Sequence, residues 1–240
     1  MRPFVFFMVA LTCISPLSAT AQVRDTATLR FHPSSGTVIH YKTVTTVPDR
    51  NDVWTGTWDM AVDRVKPNGE TVIGILRFSF VEAANGNEND VRQSKKNYKV
   101  ISKLGSVIDM DVHSVEDGPL PKAGILWEQM AVPMFPEKNV VKGESWVVSV
   151  DNPAKSGEQY KVDGIFLGSV PFRGERVWRV RQRARAVADD QGDMMTFTGV
   201  FYLNPKDGTI IQAETSIRNV PYANGSHSSF DETTTIRDVP

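Results

Sequence analysis

From residue 36 onward, apolar and polar residues alternate in short runs rather than at the spacing of an amphipathic helix. β-branched and aromatic residues fill these runs, and Gly, Asn, Asp and Pro separate them, which is typical of strands joined by turns. One stretch, Pro121–Met130, has a short helical pattern. The predicted strands are Val38–Val47, Thr55–Val65, Thr71–Ala83, Asn97–Lys103, Ser106–Val112, Ser145–Val150, Tyr160–Leu167, Arg176–Ala188, Met194–Leu203, Thr209–Val220 and Ser229–Val239.

Three of the connections between strands contain strong hairpin-turn sequences. These are Lys66–Gly69, Asp189–Asp193 and Asn204–Gly208, each of which contains residues that tolerate a positive φ. Such turns join neighbouring antiparallel strands, so the chain is expected to be all-β and antiparallel.

Three glycine-led segments occur twice along the chain, in the same order and at separations of 107, 105 and 103 residues. This spacing indicates two pseudo-repeats of about 36–112 and 143–220. Because any β-protein has many strands that start after glycine, chance alignment is the alternative. The paired glycines are Gly36 with Gly143, Gly69 with Gly174, and Gly105 with Gly208.

Two such units share a core most economically in one continuous sheet. The sequence therefore predicts a single β domain over 36–240, built as a strongly curved antiparallel sheet or partial barrel. The connector 113–142 contains the short helix and is expected to cross between the halves, where it can plug the concave face. A C-terminal strand over 229–239 completes the domain.

The N-terminus predicts export. Met1-Arg2 precedes an apolar run that is too short to span a bilayer, and Ala19-Thr20-Ala21 has the pattern that signal peptidase cleaves. Residues 1–21 are therefore a predicted signal peptide and 22–35 an N-terminal extension of a periplasmic or secreted protein with no integral membrane span after cleavage. The alternatives to cleavage by signal peptidase at this site are that the apolar segment is retained as a membrane anchor or that Cys13 is lipidated.

The cysteine count and the net charge exclude several classes of function. Cys13 is the single cysteine, so a cleaved chain has no disulfide, thiolate zinc site or thiol nucleophile. The formal net charge is −1, which argues against general binding of nucleic acid. No cofactor is predicted.

Arg179, Arg181, Arg183 and Arg185 alternate with uncharged residues, so one strand face carries all four guanidinium groups about 7 Å apart. We call this set the arginine ladder. It predicts either a solvated outer face or a site for a phosphate, carboxylate or lipid head group. In the first pseudo-repeat the matching positions are apolar, so either a bulge shifts the phase or the two halves present different surfaces. Those matching positions are Val72, Leu76, Phe78 and Phe80.

Two acidic segments resemble metal sites only weakly. Asp109, Asp111 and His113 share one side of a strand, but residues spaced by two converge on a metal only if the strand bends. Asn85–Asp90 lacks the glycine and the twelfth-position acid of a calcium loop, so a flexible solvated turn is expected there.

No arrangement typical of an enzyme is present. The four histidines are scattered, and no serine lies in a Gly-x-Ser-x-Gly elbow. The chain is therefore interpreted as non-enzymatic, and a hydrolase whose site is assembled only by the fold is the last alternative.

The mature chain is rich in aromatic residues, which a curved sheet can use to line an apolar cavity. We therefore expect binding of a lipid, another apolar or amphiphilic small molecule, or an envelope protein in the concavity of the sheet. The alternative is a docking module that uses a sheet edge or the arginine ladder to bind protein or an anionic polymer. The candidate ligand-binding residues are Arg179, Arg181, Arg183, Arg185, Phe78, Phe80 and Trp178.

The middle of the chain resembles a known group. Phe135-Pro136, followed by Val140, Gly143-Glu144 and Trp146, is similar to the signature of exported bacterial all-β proteins of unknown function, Phe-Pro and then Val-x-x-Gly-Glu/Asp-x-Trp. The resemblance implies export and an all-β fold comparable to the curved half-barrels of periplasmic lipoprotein carriers. It implies no functional residues.

Overall fold

The computed structural model describes residues 25–50, 52–84, 87–92, 97–111, 121–221 and 226–236, with the backbone alone described for 76–84 and 87–92. The predicted signal peptide lies outside these residues, as does His113. The elements are β1 (Thr26–Ala27), β2 (Val38–Val47), β3 (Asp52–Val65), β4 (Thr71–Ala84), β5 (Asn87–Arg92), β6 (Asn97–Ile101), β7 (Val107–Asp111), α1 (Lys122–Met130), β8 (Val140–Val141), β9 (Ser145–Asp151), β10 (Gln159–Phe172), β11 (Glu175–Val187), β12 (Met194–Leu203), β13 (Ile210–Pro221) and β14 (His227–Ile236).

Nearly all strands belong to one open antiparallel sheet. Its order is β7-β6-β4-β3-β2-β14-β13-β12-β11-β10-β9, and β5 pairs with β4 beside this path. Each half is a meander of strands that are consecutive in sequence, and β2 joins β14 at the centre through pairs such as Val44 with Thr233. The predicted all-β fold with one short helix is confirmed. We call β2–β7 the N-terminal half and β9–β14 the C-terminal half.

Helix α1 shows that the sheet is strongly curved. Glu128 of α1 pairs with Lys99 of β6, and the next residue, Gln129, accepts a hydrogen bond of 3.2 Å from Tyr160 of β10. In a flat sheet β6 and β10 would be about 38 Å apart, at about 4.8 Å per strand. The sheet therefore wraps around the helix as a partial barrel. We call the face that packs against α1 the inner face and the opposite face the outer face.

Three strands were not predicted. β5 overlaps the segment 85–90, which is expected to be a flexible turn, so that expectation is wrong for 87–90. β4 is 14 residues long, and β6 pairs with its first part from Thr71 to Ile75. The rest of β4, from Ser79 to Ala84, offers free backbone groups that β5 pairs. β1 and β8 are not predicted, because a strand of two residues is too short to show an alternation of apolar and polar positions.

The N-terminal strap, residues 25–32, is built into the body of the protein. Ala27, Leu29 and Phe31 are buried, and the intervening side chains are not. The strap begins beside β8 and ends at two turns, where Phe31 N–H donates to the Lys103 carbonyl at 2.8 Å and His32 N–H to Asp207 at 2.9 Å. It therefore ties turns from both halves of the sheet together.

All six glycines of the predicted duplication have positive φ, between 72° and 88°. Each one ends a turn just before a strand, and four of these turns join strands that are paired with each other, at Gly69, Gly105, Gly174 and Gly208. The duplication itself stays a prediction. Bulges are present in both halves, for example between Asp59 and Met60 opposite β4 and between Phe166 and Gly168 in β10.

Candidate functional site

The inner face encloses a cavity of about 280 Å³, which lies against the N-terminal half and the two adjoining strands β14 and β13. Its walls come from β2, β3, β4, β6, β13 and β14, and its cover from α1 and the residues that follow the helix. Tyr41 and Trp58 form the aromatic wall, with ring centroids 4.3 Å apart in a stacked arrangement. Further lining residues are Phe31, Met60, Ile73, Ile75, Ile101, Trp127, Val132, Pro133, Ile210 and Ala213.

Polar side chains also point into this cavity because of the strand register. On β2 the inward positions hold Tyr41, Thr43 and Thr45, and on β14 they include Glu232 and Thr234. An inner sheet face is normally apolar, since a buried polar group must find a hydrogen-bond partner.

These polar groups form one chain of hydrogen bonds that ends on Glu232. Trp58 Nε1 donates to Thr43 Oγ1 at 3.0 Å, and Thr43 and Thr234 share a bond of 2.9 Å. Thr234 and Thr45 each donate to a Glu232 carboxylate oxygen at 3.2 Å. The hydroxyl donors therefore converge on this carboxylate, which an ionised acid favours.

Burial is the largest influence on Glu232, and it raises the pKa of the carboxyl above its ordinary value. The nearby Glu128 carboxylate raises the pKa further, whereas the two threonine hydrogen bonds and Lys99 act in the opposite direction. Desolvation therefore outweighs the hydrogen bonds.

An ion pair lies on the other side of the cavity. Lys99 Nζ contacts Glu128 Oε2, and the side chains are 11% and 36% exposed. Glu128 thus reaches solvent while Lys99 is almost enclosed. The pair links the cover of the cavity, α1, to β6.

Beyond the cavity, the inner face of the C-terminal half is filled. Residues 131–133 cover the cavity, and Met134 and Phe135, which follow them in the chain, are fully buried. The Met134 carbonyl accepts hydrogen bonds from Trp146 Nε1, at 3.1 Å, and from Gln182 Nε2. The Trp146 ring leaves no room for a side chain at Gly164, where a Cβ would lie 2.2 Å from it.

The residues of the Phe-Pro…Gly-Glu-x-Trp signature are thus in structural positions. Phe135 is buried, and Glu144 accepts from the Val141 N–H at 3.0 Å and from Lys138 Nζ at 2.6 Å. Hydrogen bonding to Lys138 is the largest factor that lowers the pKa of Glu144. The signature holds residues 131–136 against β9.

The arginine ladder lies on the outer face and does not line the cavity. Val180, Gln182, Ala184 and Ala186, which alternate with the arginines, are buried. Arg183 and Arg185 are exposed, while Arg179 and Arg181 are half-buried. None of the four forms an ion pair with a carboxylate in the described part of the chain.

The other predicted ligand residues are separated from the ladder. Trp178 lines a depression of about 530 Å³ beside the strap, together with Arg30 and Lys206. Phe78 and Phe80 lie on β4, where their backbones pair with Trp58 and Gly56, and their side chains are outside the described part.

The described residues contain no group of three or more His, Cys, Asp or Glu side chains that could hold a metal ion. Asp109 and Asp111 lie on β7, an edge strand of the sheet.

The helix in the described ranges is too short to cross a membrane. Protein-family models give no match to this chain, and curated protein sequences give no significant match.

Sequence reasoning missed Lys99, Glu128 and Glu232. Alternation in Asn97–Ile101 favours Tyr98 and Val100 as inward residues, but the structure buries Asn97, Lys99 and Ile101. The signal that could have found the site is the threonine-rich composition of β2 and β14, two strands at the centre of the sheet, with Glu232 on β14.

Proposed function

We propose that this protein is a non-enzymatic binding protein that holds a small apolar or amphiphilic molecule in the cavity beneath α1. One observation carries the proposal: charged and hydroxyl side chains occupy inward positions around a cavity of about 280 Å³. Departures from the apolar pattern of a core are most often found where a protein has a function.

The chemistry of the lining supports an amphiphile. Ligand pockets are mostly apolar, with a few convergent polar groups that orient the ligand, and have volumes of roughly 300–1,000 Å³. The cavity, at about 280 Å³, is just below this range and combines aromatic rings with Lys99, Glu128 and Glu232. It suits a single apolar chain or a compact head group.

The proposal is tested by filling the cavity from its wall. Ala213 is buried and lines it, so an Ala213→Leu side chain projects into the free volume. We expect at least a tenfold loss of affinity for the neutral fluorescent dye N-phenyl-1-naphthylamine, with no loss of stability.

Thr198→Leu is the matched control, because Thr198 is exposed on the neighbouring strand β12. It should bind the dye like the unmodified protein. Equal dye affinity in Ala213→Leu and the unmodified protein would place dye binding elsewhere and contradict the proposal.

Export is part of the same proposal, supported by the pattern of residues 1–21. Expression of the full chain in a bacterium, followed by intact mass measurement of the periplasmic fraction, should give a protein that begins at Gln22. A cytoplasmic product that retains Met1 or Arg2 would contradict it.

A second candidate function is docking of an anionic polymer on the outer face. It is favoured by the arginine ladder, which forms no ion pair with a described carboxylate and has Asp163 of β10 opposite Arg183 as its acidic neighbour. The double substitution Arg181→Glu and Arg183→Glu should abolish salt-sensitive binding to immobilised polyphosphate and leave dye binding unchanged. If the unmodified protein passes over polyphosphate unretarded at low salt, this function is excluded.

A further inference from the structure

The charges around the cavity do not cancel. Lys99, Glu128 and Glu232 are its lining residues that carry a charge, and Lys99 is already paired with Glu128. Glu232 is thus the carboxylate without a cation of its own. Any ligand that fills the cavity removes water from this group, so the charge of the ligand matters.

The neighbours of Glu232 on both sides are neutral. Thr45 of β2 and Thr215 of β13 stand directly opposite it, and both side chains are buried. The diagonal neighbours on these strands are Thr43, Val47, Ala213 and Ile217. From the elements across the cavity, β6 presents Lys99 and α1 presents Glu128.

The rest of the lining also favours a cation. Tyr41, Trp58, Trp127 and Phe31 line the same cavity as the carboxylate. Aromatic faces attract cations, and cages of such rings are how proteins recognise quaternary ammonium groups. An anionic head group would meet two carboxylates and one ammonium that is already paired.

We propose that the cavity selects amphiphiles with an ammonium head group, which places its charge near Glu232, over anionic amphiphiles of the same chain length. This inference rests on the proposed function and specifies its ligand class. Glu232 is the specificity-determining residue. Glu128, on the side of β6, is already paired with Lys99, so the ammonium group of a ligand is excluded from that carboxylate.

The raised pKa of Glu232 adds a pH dependence with a definite sign. The ammonium group interacts with the ionised carboxylate, so its binding displaces the proton that burial favours. Affinity for the ammonium amphiphile therefore rises with pH through the raised pKa of Glu232. A neutral amphiphile of equal length lacks this dependence.

The experiment is competition for the bound neutral dye by decyltrimethylammonium, decanol and decyl sulfate, each below its micellar concentration. These probes keep their charge between pH 5 and pH 9. We expect decyltrimethylammonium to bind at least tenfold more tightly than decyl sulfate at pH 8, and the ratio to shrink as the pH falls.

Glu232→Gln should remove most of this preference and its pH dependence while decanol affinity stays within about twofold. Glu214→Gln is the matched control, because Glu214 is an exposed residue of β13 on the strand beside Glu232. It should retain the preference.

The outcomes separate the two proposals. If all three amphiphiles bind with similar affinity, or if Glu232→Gln keeps the preference, the head-group selection is wrong and the binding function stands. If neither the dye nor any amphiphile binds the folded protein, the proposed function itself is wrong.

Discussion

At the residue scale, Gly208 is required for two separate reasons. Its φ is +72°, and a Cβ there would lie 1.9 Å from the Arg30 carbonyl oxygen in the strap. A larger residue thus meets both backbone strain and a collision with main-chain atoms, which cannot move aside as a side chain can. The strap and the β12–β13 turn can approach each other this closely only because residue 208 is glycine.

Gly208→Ala is expected to lower the free energy of unfolding by about 3 kcal/mol. Gly192→Ala is the control, because Gly192 has a φ of +91° but open space around its Cβ position. It should cost about 1–2 kcal/mol, the strain of the left-handed conformation alone. Urea unfolding of both variants measures the difference, and equal losses would contradict the close approach.

Glu232 links the cavity to the pH dependence of stability. Burial raises the pKa of its carboxyl in the folded protein above the unfolded value of about 4.5, so the folded state binds the proton more tightly. The contribution of this residue to stability is therefore largest at low pH and is lost as the pH rises through the folded-state pKa.

Glu232→Gln should thus gain stability relative to the unmodified protein as the pH rises from 4 to 8. Urea unfolding across this range measures the gain. Glu214→Gln, on the exposed side of β13, should show no such trend. A stability difference between Glu232→Gln and the unmodified protein that is independent of pH would show that Glu232 titrates normally.

At the scale of the elements, residues 131–136 connect the two halves, because residues 131–133 line the cavity and Met134 is bound to strands of the C-terminal half. Two side chains, those of Trp146 and Gln182, donate hydrogen bonds to the same Met134 carbonyl from different strands. The cover of the cavity therefore depends on where this segment is anchored.

Trp146→Phe removes one of these hydrogen bonds and leaves a void beside Gly164. We expect a loss of about 1–3 kcal/mol in the free energy of unfolding. Trp178→Phe, at a half-buried position, should cost less than about 1 kcal/mol. Thermal unfolding compares the two, and a larger loss for Trp178→Phe would mean that Trp146 is not the anchor.

At the scale of the whole molecule, the N-terminal strap holds the open sheet in its curved form. It contacts turns of both halves, and three of its side chains enter the common core. An open sheet has no closing strand pair to fix its curvature, so connections between distant turns take that role.

Leu29→Ala tests the strap, because Leu29 is fully buried in that core. Its loss is expected to lower the free energy of unfolding by about 2–5 kcal/mol. Thr28→Ala changes the exposed neighbouring residue and should cost less than about 1 kcal/mol. Urea unfolding of the chain from residue 22 checks both values, and similar losses would show that the strap is not part of the core.

The sequence by itself determined the tight turns, the short helix and the strands other than β1, β5 and β8. Val38–Val47 and Met194–Leu203 were predicted with the bounds that the structure has, and the helix of Pro121–Met130 begins one residue later. These features depend on local alternation and on turn residues that tolerate positive φ, which are readable without knowledge of distant contacts.

Tertiary structure alone decided which face of each strand turns inward and where the space remains. In β6 the packing buries Lys99 rather than Tyr98, because an ion pair with α1 compensates the buried charge. The cavity remains where residues 131–133 cover the inner face without filling it, while Met134 is anchored to Trp146 and Gln182. Such choices depend on contacts between residues far apart in the chain, about which local alternation carries no information.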